Sequence, residues 1–165
     1  MAQGYACIYK WFQHLQQQGH YVNGFVIMPN HVHALISFRA VDQSLNTIIG
    51  NGKRFMAYEL VCLLHQQAAA PVLQQITVTD ARRKAAGAIH QVWQHSFDWK
   101  ECRSNRFTLQ KLNYIHQNPC RGMWQLADAP ENYLHSSADF YHTGRQPAFI
   151  TLTHYMAMQD IDLSK

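Results

Sequence analysis

The chain has 165 residues, of which 47% are hydrophobic and 15% charged, and its formal net charge is +4 at pH 7. This composition supports a buried core and excludes a disordered segment or a coiled coil, and no apolar run reaches the roughly 18 residues of a membrane span. The start lacks the pattern of a signal peptide and the four scattered cysteines form no CxxC motif, so we expect one cytoplasmic domain over residues 1–165, with a C-terminal tail from about residue 145.

The first half of the chain predicts a helix, a hairpin and a second helix. Residues 6–18 carry apolar side chains at helical spacing, and Gly19 is expected to end that helix. Two runs of strand-forming residues follow, 22–28 and 31–38, and the short interval between them predicts a β-hairpin. Residues 44–65 return to helical spacing.

The second half is predicted to add strands and one more helix. Residues 66–75 are interpreted as a polar connector, and 91–99 as a strand because β-forming side chains dominate there. Residues 106–118 have helical spacing, limited by Pro119, and the tail segment 148–156 is interpreted as an edge strand. Together the elements predict an α+β fold, with one sheet and helices packed on one of its faces.

A pair of histidines stands at the start of the second predicted strand. Side chains alternate across a strand, so His31 and His33 are expected on one face and Val32 on the other. Two imidazoles placed in this way can hold a divalent metal. From the spacing alone, two polar residues on a solvent-facing strand are the alternative interpretation.

The predicted helix 106–118 carries a tyrosine on its polar side. Its apolar face is expected to comprise Leu109, Leu112 and Ile115. Tyr114 lies opposite that face, and Asn118 follows it by four residues, so their side chains are neighbours on one surface. Because a proline follows Asn118, helical geometry is disfavoured there and the helix is expected to end. A phenol and a carboxamide beside a metal would suit phosphoryl transfer, whereas an exposed amphipathic tyrosine is the alternative.

Four stretches of the chain together resemble a known protein family. They are MPNHVHALI (28–36), GNGKRFMAYEL (50–60), YIHQNPCRGMW (114–124) and ENYLHSSADFY (131–141). The combination resembles the single-tyrosine HUH transposases, most closely the REP-associated tyrosine transposases of the insertion-sequence-200-like superfamily. The resemblance runs from about residue 6 to the C-terminus, although the serine pair in the fourth stretch suggests no chemistry by itself.

The resemblance implies a fold, a reaction and a set of site residues. The family has a ferredoxin-like antiparallel sheet with helices on one face, and it cuts and rejoins single-stranded DNA through a 5′-phosphotyrosine intermediate. Carried over by position, His31 and His33 match the metal-binding pair and Tyr114 the nucleophile. Asn118 matches a third ligand that binds Mg²⁺ or Mn²⁺ through its carboxamide. The implied partner is single-stranded or hairpin DNA, and whether the protein acts as a monomer or a homodimer stays open.

Basic residues within the matched stretches are candidates for DNA contact. Lys53 and Arg54 are expected to open the second helix after a Gly-Asn-Gly turn, where a helix start attracts phosphate. Lys111 and Arg121 flank the tyrosine in the sequence. For each of these four, a solvated surface is the alternative. Three tryptophans could stack bases or belong to the core: Trp93, Trp99 and Trp124.

The chain departs from the family at its start. Members carry a strand before the first helix, and here the helix is expected almost at Met1, which would leave a central strand missing and strand edges exposed. A fragment or late start, a partner chain that supplies the strand, and a tail strand that fills the gap are three open explanations.

Four functional classes compete on this basis. The first is an active single-stranded DNA transposase, and the second an inactive or domesticated relative that binds DNA hairpins without cutting. The third is a rolling-circle initiator or relaxase. Such proteins usually carry additional domains, for which 165 residues leave no room. The fourth is a structural metal protein, against which the lack of a cysteine ligand cluster counts.

Overall fold

The computed structural model describes residues 2–94 and 97–163, and over these ranges the chain forms six α-helices and two β-strands. The helices are α1 (Ala2–Gln17), α2 (Leu45–Gln66), α3 (Ala70–Gln75), α4 (Ala81–Ala85), α5 (Asn105–Gln117) and α6 (Ala138–Thr143). The strands are β1 (Tyr21–Ile27) and β2 (Val32–Ser37). Three short 3₁₀ turns cover Asn118–Cys120, Pro130–Asn132 and Tyr155–Asp160. The predicted α+β class is confirmed.

The two strands form the predicted antiparallel hairpin. Tyr21 lies opposite Ser37 at one end and Ile27 opposite Val32 at the other, and a bulge interrupts the register near the start of β1. The backbone N–H of Met28 donates to the carbonyl oxygen of His31 at 2.8 Å and closes the turn. The side-chain positions of β2 are therefore set in register against a strand that is buried over nearly its whole length.

Helices α1 and α5 pack on opposite faces of this hairpin. The rings of Phe12 in α1 and Phe25 in β1 lie 5.4 Å apart between centroids, with both side chains fully buried. Gly24 faces the other way, and a Cβ at this position would collide with the Cδ1 atom of Leu112 in α5. Because each helix covers a different face, the prediction that helices pack on one face is wrong for this pair.

The outer edge of β1 is covered by the chain that follows α5. The N–H of Ile27 donates to the carbonyl oxygen of His135 at 2.9 Å, and the N–H of Ser137 donates to that of Phe25 at 2.9 Å. The Ser137 hydroxyl in turn accepts from the N–H of Phe25 at 2.8 Å. Two backbone bonds and the Ser137 hydroxyl together provide pairing that a third strand would otherwise give.

The tail approaches the same edge, but the prediction of a strand over residues 148–156 is wrong. Its contact with the sheet at that point is the N–H of Thr153, which donates to the carbonyl oxygen of Val22 at 3.1 Å. The Gln146 side chain bonds both backbone groups of Leu152, at 2.7 and 2.9 Å. The backbone N–H and C=O of Leu152 therefore bond to a nearby side chain and not to a neighbouring strand.

Two further sequence predictions are wrong outside the hairpin. Residues 91–94 and 97–99 are irregular, and 95 and 96 lie outside the described residues. The β-bridge in this region joins Thr77 to His90 instead. The predicted connector 66–75 contains α3, whose first turn accommodates a proline without losing a hydrogen bond.

The chain folds into two compact units. One comprises residues 42–99 with the start of the chain up to Cys7, and the other comprises Ile8–Val41 with the chain from Lys100 onward. The expectation of one domain over residues 1–165 stays a prediction. None of the described helices combines the length and apolar character that a membrane span requires.

Candidate active site

The two histidines lie side by side, as predicted from strand alternation. His31 immediately precedes β2, His33 lies within it opposite Val26, and the two ring centroids are 4.9 Å apart. The Nδ1 atom of His31 lies 2.7 Å from the Oδ1 atom of Asn30. An amide oxygen only accepts, so Nδ1 is the donor there, and in the neutral imidazole Nε2 then keeps its lone pair.

Asn118 meets His31 from the other side of the site. Its Oδ1 atom lies 3.3 Å from His31 Nε2, and its Nδ2 atom donates to the carbonyl oxygen of Tyr114 at 2.8 Å. That donation determines which end of the amide faces the histidine, since a carbonyl can only accept. Two acceptors therefore face each other across 3.3 Å, an arrangement that a cation would stabilise.

The backbone at Asn118 explains how its side chain reaches this position. Helix α5 ends at Gln117, but Asn118 keeps helical dihedrals, with φ −55° and ψ −45°, and begins the 3₁₀ turn Asn118–Cys120. The expectation that Pro119 removes helical geometry from Asn118 is wrong. Because the helical path continues, Asn118 remains one turn below Tyr114 on the same surface.

Tyr114 lies on the exposed side of α5 and contacts the histidines. Its side chain is 55% exposed, and its ring centroid lies 5.4 Å from that of His33 at an interplanar angle of 70°. The predicted polar placement of this tyrosine is confirmed. Its hydroxyl is accessible to a large substrate while its ring is held against an imidazole.

The buried face of α5 differs from the predicted one. Leu109 is 44% exposed, whereas Thr108 and His116 are buried together with Leu112 and Ile115. The face of α5 that packs on the sheet is therefore rotated about the helix axis by about one residue, relative to the face that the leucines predict. This rotation still leaves Tyr114 and Asn118 outside the core.

His116 and Ser137 form a buried contact that the sequence interpretation missed. The His116 Nε2 atom lies 2.8 Å from the Ser137 hydroxyl, which also bonds the backbone of Phe25. Burial lowers the pKa of His116 to about 4. This histidine is therefore neutral at neutral pH and links α5 to β1. The serine pair within residues 131–141 was the available signal for it.

The electrostatics around His33 favour its neutral imidazole. The pKa of His33 is lowered, mainly by burial and further by the neighbouring His31. Neutral imidazole is the form that binds metal ions. Among the described residues, no three His, Cys, Asp or Glu side chains converge on one point, so the third donor here would have to be the carboxamide of Asn118. With that amide included, the side chains present fit a divalent cation.

The four predicted DNA-contact residues occupy different places. Helix α2 begins at Leu45, capped by Ser44, whose hydroxyl accepts from the N–H of Thr47 at 3.2 Å. Lys53 and Arg54 therefore lie inside the helix, and the Gly-Asn-Gly segment before them is helical. The expected helix-start phosphate site is wrong, while their role in DNA contact stays a prediction.

Lys111 and Arg121 belong to the same compact unit as the histidines. The Lys111 ammonium lies 5.1 Å from the centroid of the Phe107 ring, and α5 places it three residues before Tyr114 on the same side. Arg121 is exposed just after the 3₁₀ turn. One cation therefore precedes Tyr114 within α5, and the other follows it just after the 3₁₀ turn.

Comparison with known proteins returned no match: no family model, no curated protein and no solved structure is significantly similar to the chain. The interpretation of the site therefore rests on its own geometry and on the residues themselves.

Proposed function

We propose that this protein is a metal-dependent DNA strand transferase that cleaves and rejoins single-stranded DNA through a 5′-phosphotyrosine at Tyr114. The observation that carries the proposal is a continuous series of contacts that joins four polar side chains. His31 lies 3.3 Å from Asn118, 87 residues away in sequence, and the rings of His33 and Tyr114 are in contact. A structural cluster of this kind would not require an exposed phenol at its centre.

The chemistry assigned to Tyr114 is nucleophilic. Its oxygen attacks the phosphorus of a phosphodiester, the bond to the 3′ oxygen breaks, and the released 3′ oxygen takes up a proton as the phenol loses one. Attack by another 3′-hydroxyl reverses these steps and joins two strands. The phosphodiester energy is conserved in the covalent link, so no nucleotide cofactor is needed.

The ligand set proposed for the metal is His31, His33 and the carboxamide oxygen of Asn118. A divalent ion such as Mg²⁺ or Mn²⁺ would supply Lewis-acid activation of the phosphate there. The amide of Asn118 is oriented for this task by its bond to the Tyr114 carbonyl, and the lowered pKa of His33 keeps that imidazole unprotonated.

His116 does not act as a base in this proposal. It is buried against Ser137 on the core side of α5, whereas Tyr114 is on the exposed side. The phenol, with an ordinary pKa near 10, depends on its surroundings for activation. A divalent cation held by His31, His33 and Asn118 would supply that activation.

A ferredoxin-like arrangement is the proposed architecture around the site. Helix α1 followed by the β1–β2 hairpin supplies part of such a sheet, and α5 covers the opposite face of the hairpin. Further strands do not occur among the described residues. Within this arrangement the tyrosine helix faces the histidine side of β2, because His33 pairs with Val26 and Val26 packs against Ile115.

A cleavage assay tests the proposal. Purified protein is mixed with labelled single-stranded DNA carrying a hairpin, with Mn²⁺, with Mg²⁺ or with chelator. We expect metal-dependent cutting and a covalent protein–DNA adduct. Tyr114→Phe should abolish both, with a loss on the order of a thousandfold or more, because it removes the nucleophile but keeps the ring against His33.

Tyr58→Phe is the matched control. Tyr58 is 68% exposed on α2, close to the exposure of Tyr114, and it is not part of the site. Equal activity of wild type and Tyr114→Phe would contradict the tyrosine mechanism. Tight hairpin binding by a folded wild type that never cuts would instead identify a DNA-binding relative without transferase activity.

A further inference from the structure

A cleft lies within residues 42–99 of the first compact unit. None of the candidate active-site residues is among the residues that line it. Its volume is about 500 Å³, within the range of pockets that hold small ligands. Helix α2 forms one wall, and described residues from 90–94 and 97–99 form another. We call it the aromatic–basic cleft, after six of the side chains that line it: Lys53, Arg54, Arg83, Trp93, Phe97 and Trp99.

The charge on the described walls of this cleft has one sign. Three of the lining residues are cationic and none is acidic. The Lys53 ammonium donates to the carbonyl oxygen of Gln94, and the Arg83 guanidinium donates to the side-chain oxygen of Gln91. These bonds fix the direction of two cations, and both acceptors are neutral oxygen atoms. An anionic ligand is the chemical complement of such a wall.

Two buried polar atoms at the cleft have no hydrogen-bond partner among the described residues. They are the Nε1 atom of Trp93 and the Nδ1 atom of His90. An indole N–H can only donate, and a buried donor without an acceptor costs free energy. Because the Nε1 atom is inaccessible to solvent in this structure, a ligand acceptor would recover that cost only where its binding moves the Trp93 ring. The three aromatic side chains at the cleft offer flat apolar surfaces beside the same donors.

We propose that the aromatic–basic cleft holds one unpaired nucleotide of a single-stranded DNA. Its phosphate would lie against Lys53, Arg54 and Arg83, and its base against the aromatic rings, where base oxygen and nitrogen atoms can accept from Trp93. The inference rests on the proposed function, since it assigns a strand-holding site to the same substrate. It also explains why irregular backbone rather than a strand occupies residues rich in β-forming side chains, because this segment presents its rings to a cleft.

Binding measurements with full-length variants test the inference. A fluorescently labelled short oligothymidylate is titrated in chelator at several salt concentrations, and its fluorescence anisotropy is recorded. We expect Arg83→Gln to weaken binding and to lower the slope of log affinity against log salt by about 1. Arg82→Gln is the matched control, because the neighbouring Arg82 does not line the cleft, and it should remain close to wild type.

Two aromatic variants separate stacking from hydrogen bonding. Phe97→Leu should weaken binding roughly tenfold, since stacking on an aromatic ring contributes strongly for each base. Trp93→Phe keeps a ring and removes the N–H, so it should weaken binding several-fold without changing the salt slope. If the Arg83 variant failed to fold, Arg54→Gln would replace it, because Arg54 is an exposed cation of the same wall.

The outcomes separate this inference from the proposed function. If Arg83→Gln matched Arg82→Gln and Trp93→Phe bound like wild type, the cleft assignment would be overturned even for a protein that cuts DNA. If thymidine monophosphate competed as well as the oligonucleotide, a free nucleotide would be the ligand and the strand-holding inference would also fail. Cleft-dependent oligonucleotide binding by a protein that forms no Tyr114 adduct would overturn the transferase and support the cleft.

Discussion

The amide of Asn118 is held in one orientation by the backbone of its own helix. Its Nδ2 atom donates to the carbonyl oxygen of Tyr114 at 2.8 Å, which leaves Oδ1 facing His31. The proposed nucleophile and the proposed metal ligand are thereby coupled, because the residue that supplies the phenol also orients the amide. Helical spacing alone places the two side chains on one surface, but this bond determines what Asn118 presents there.

Replacement of this amide should weaken metal binding. Asn118→Leu removes the carboxamide oxygen and leaves a similar volume, so we expect Mn²⁺ affinity to fall roughly 10- to 100-fold, as for loss of a group that supports a metal site. Isothermal titration with Mn²⁺ measures the change. Asn113→Leu, on the exposed side of the same helix, is the control and should bind like wild type. Unchanged affinity in Asn118→Leu would remove Asn118 from the ligand set.

Tyr141 gives the fold a dependence on alkaline pH. Its hydroxyl donates to the carbonyl oxygen of Asn23 at 2.7 Å, and burial raises its pKa to about 12. The unfolded value is near 10, so the folded state holds this proton more tightly. The associated stability is fully present below pH 10 and is lost as the pH rises toward 12.

Urea denaturation between pH 9 and pH 12 tests this effect. The free energy of unfolding should fall by up to about 2–3 kcal/mol beyond what other groups contribute. Tyr141→Phe should be less stable than wild type at neutral pH, because it loses the bond to Asn23, but should show a flatter decline at high pH. Parallel pH curves for the two proteins would contradict the assignment.

Within its compact unit, β1 is the element that α1, β2, α5 and the segment around Ser137 all contact. The α1 helix covers one face through Phe12, α5 covers the other through Leu112, and Ser137 bonds its outer edge. This arrangement brings the end of α5 to the histidines of β2. The position of the tyrosine therefore depends on contacts that are distant from it.

Ser137 should contribute more to stability than its neighbour Ser136. The Ser137 hydroxyl serves the backbone of Phe25 and the ring of His116, whereas the Ser136 hydroxyl accepts from the N–H of Ala138 at 3.1 Å. Ser137→Ala leaves two buried groups unpaired, so we expect a loss of about 2–4 kcal/mol, against about 1 kcal/mol for Ser136→Ala. Guanidinium unfolding measures both values. Equal losses would show that the His116 contact contributes nothing to stability.

Two glycines should respond to alanine in opposite directions. Gly24→Ala places a Cβ against Leu112 and should destabilise the protein by about 1–3 kcal/mol, as overpacking does in a core. Gly50 lies inside α2 with open space around its Cβ position, so Gly50→Ala should stabilise by about 0.5–1 kcal/mol. Thermal melting of both variants tests the pair, and Leu112→Ala should partly rescue Gly24→Ala. Without such rescue, the steric explanation for Gly24 fails.

Across the chain, the two compact units carry different chemistry. The unit with β1, β2 and α5 contains the four residues proposed for strand transfer, and the unit of residues 42–99 contains the aromatic–basic cleft. The basic residues of the motif at residues 50–60 belong to the cleft and lie inside a helix. Their sequence motif indicated DNA contact at a helix start, but α2 begins at Leu45, so Lys53 and Arg54 lie in its interior.

Local sequence patterns were sufficient for several features of the fold and site. Alternation in residues 31–38 predicts that His31 and His33 share a face, and the four-residue step from Tyr114 to Asn118 predicts that these side chains are neighbours. Helical periodicity also predicts a helix over 106–118, close to the observed Asn105–Gln117, although Pro119 does not remove helical geometry from Asn118 as expected. Each of these features depends on interactions between residues a few positions apart.

Packing between distant segments determined the remainder. Periodicity could not show that α5 buries His116 rather than Leu109, because helical spacing does not say where the sheet will lie. Nor could β-propensity show that residues 91–99 would line a cleft, since propensity describes one segment without its partners. The approach of His31 to Asn118 spans 87 residues. This approach depends on helices packing on both faces of β1. Those contacts join distant segments, so no short stretch of sequence could predict them.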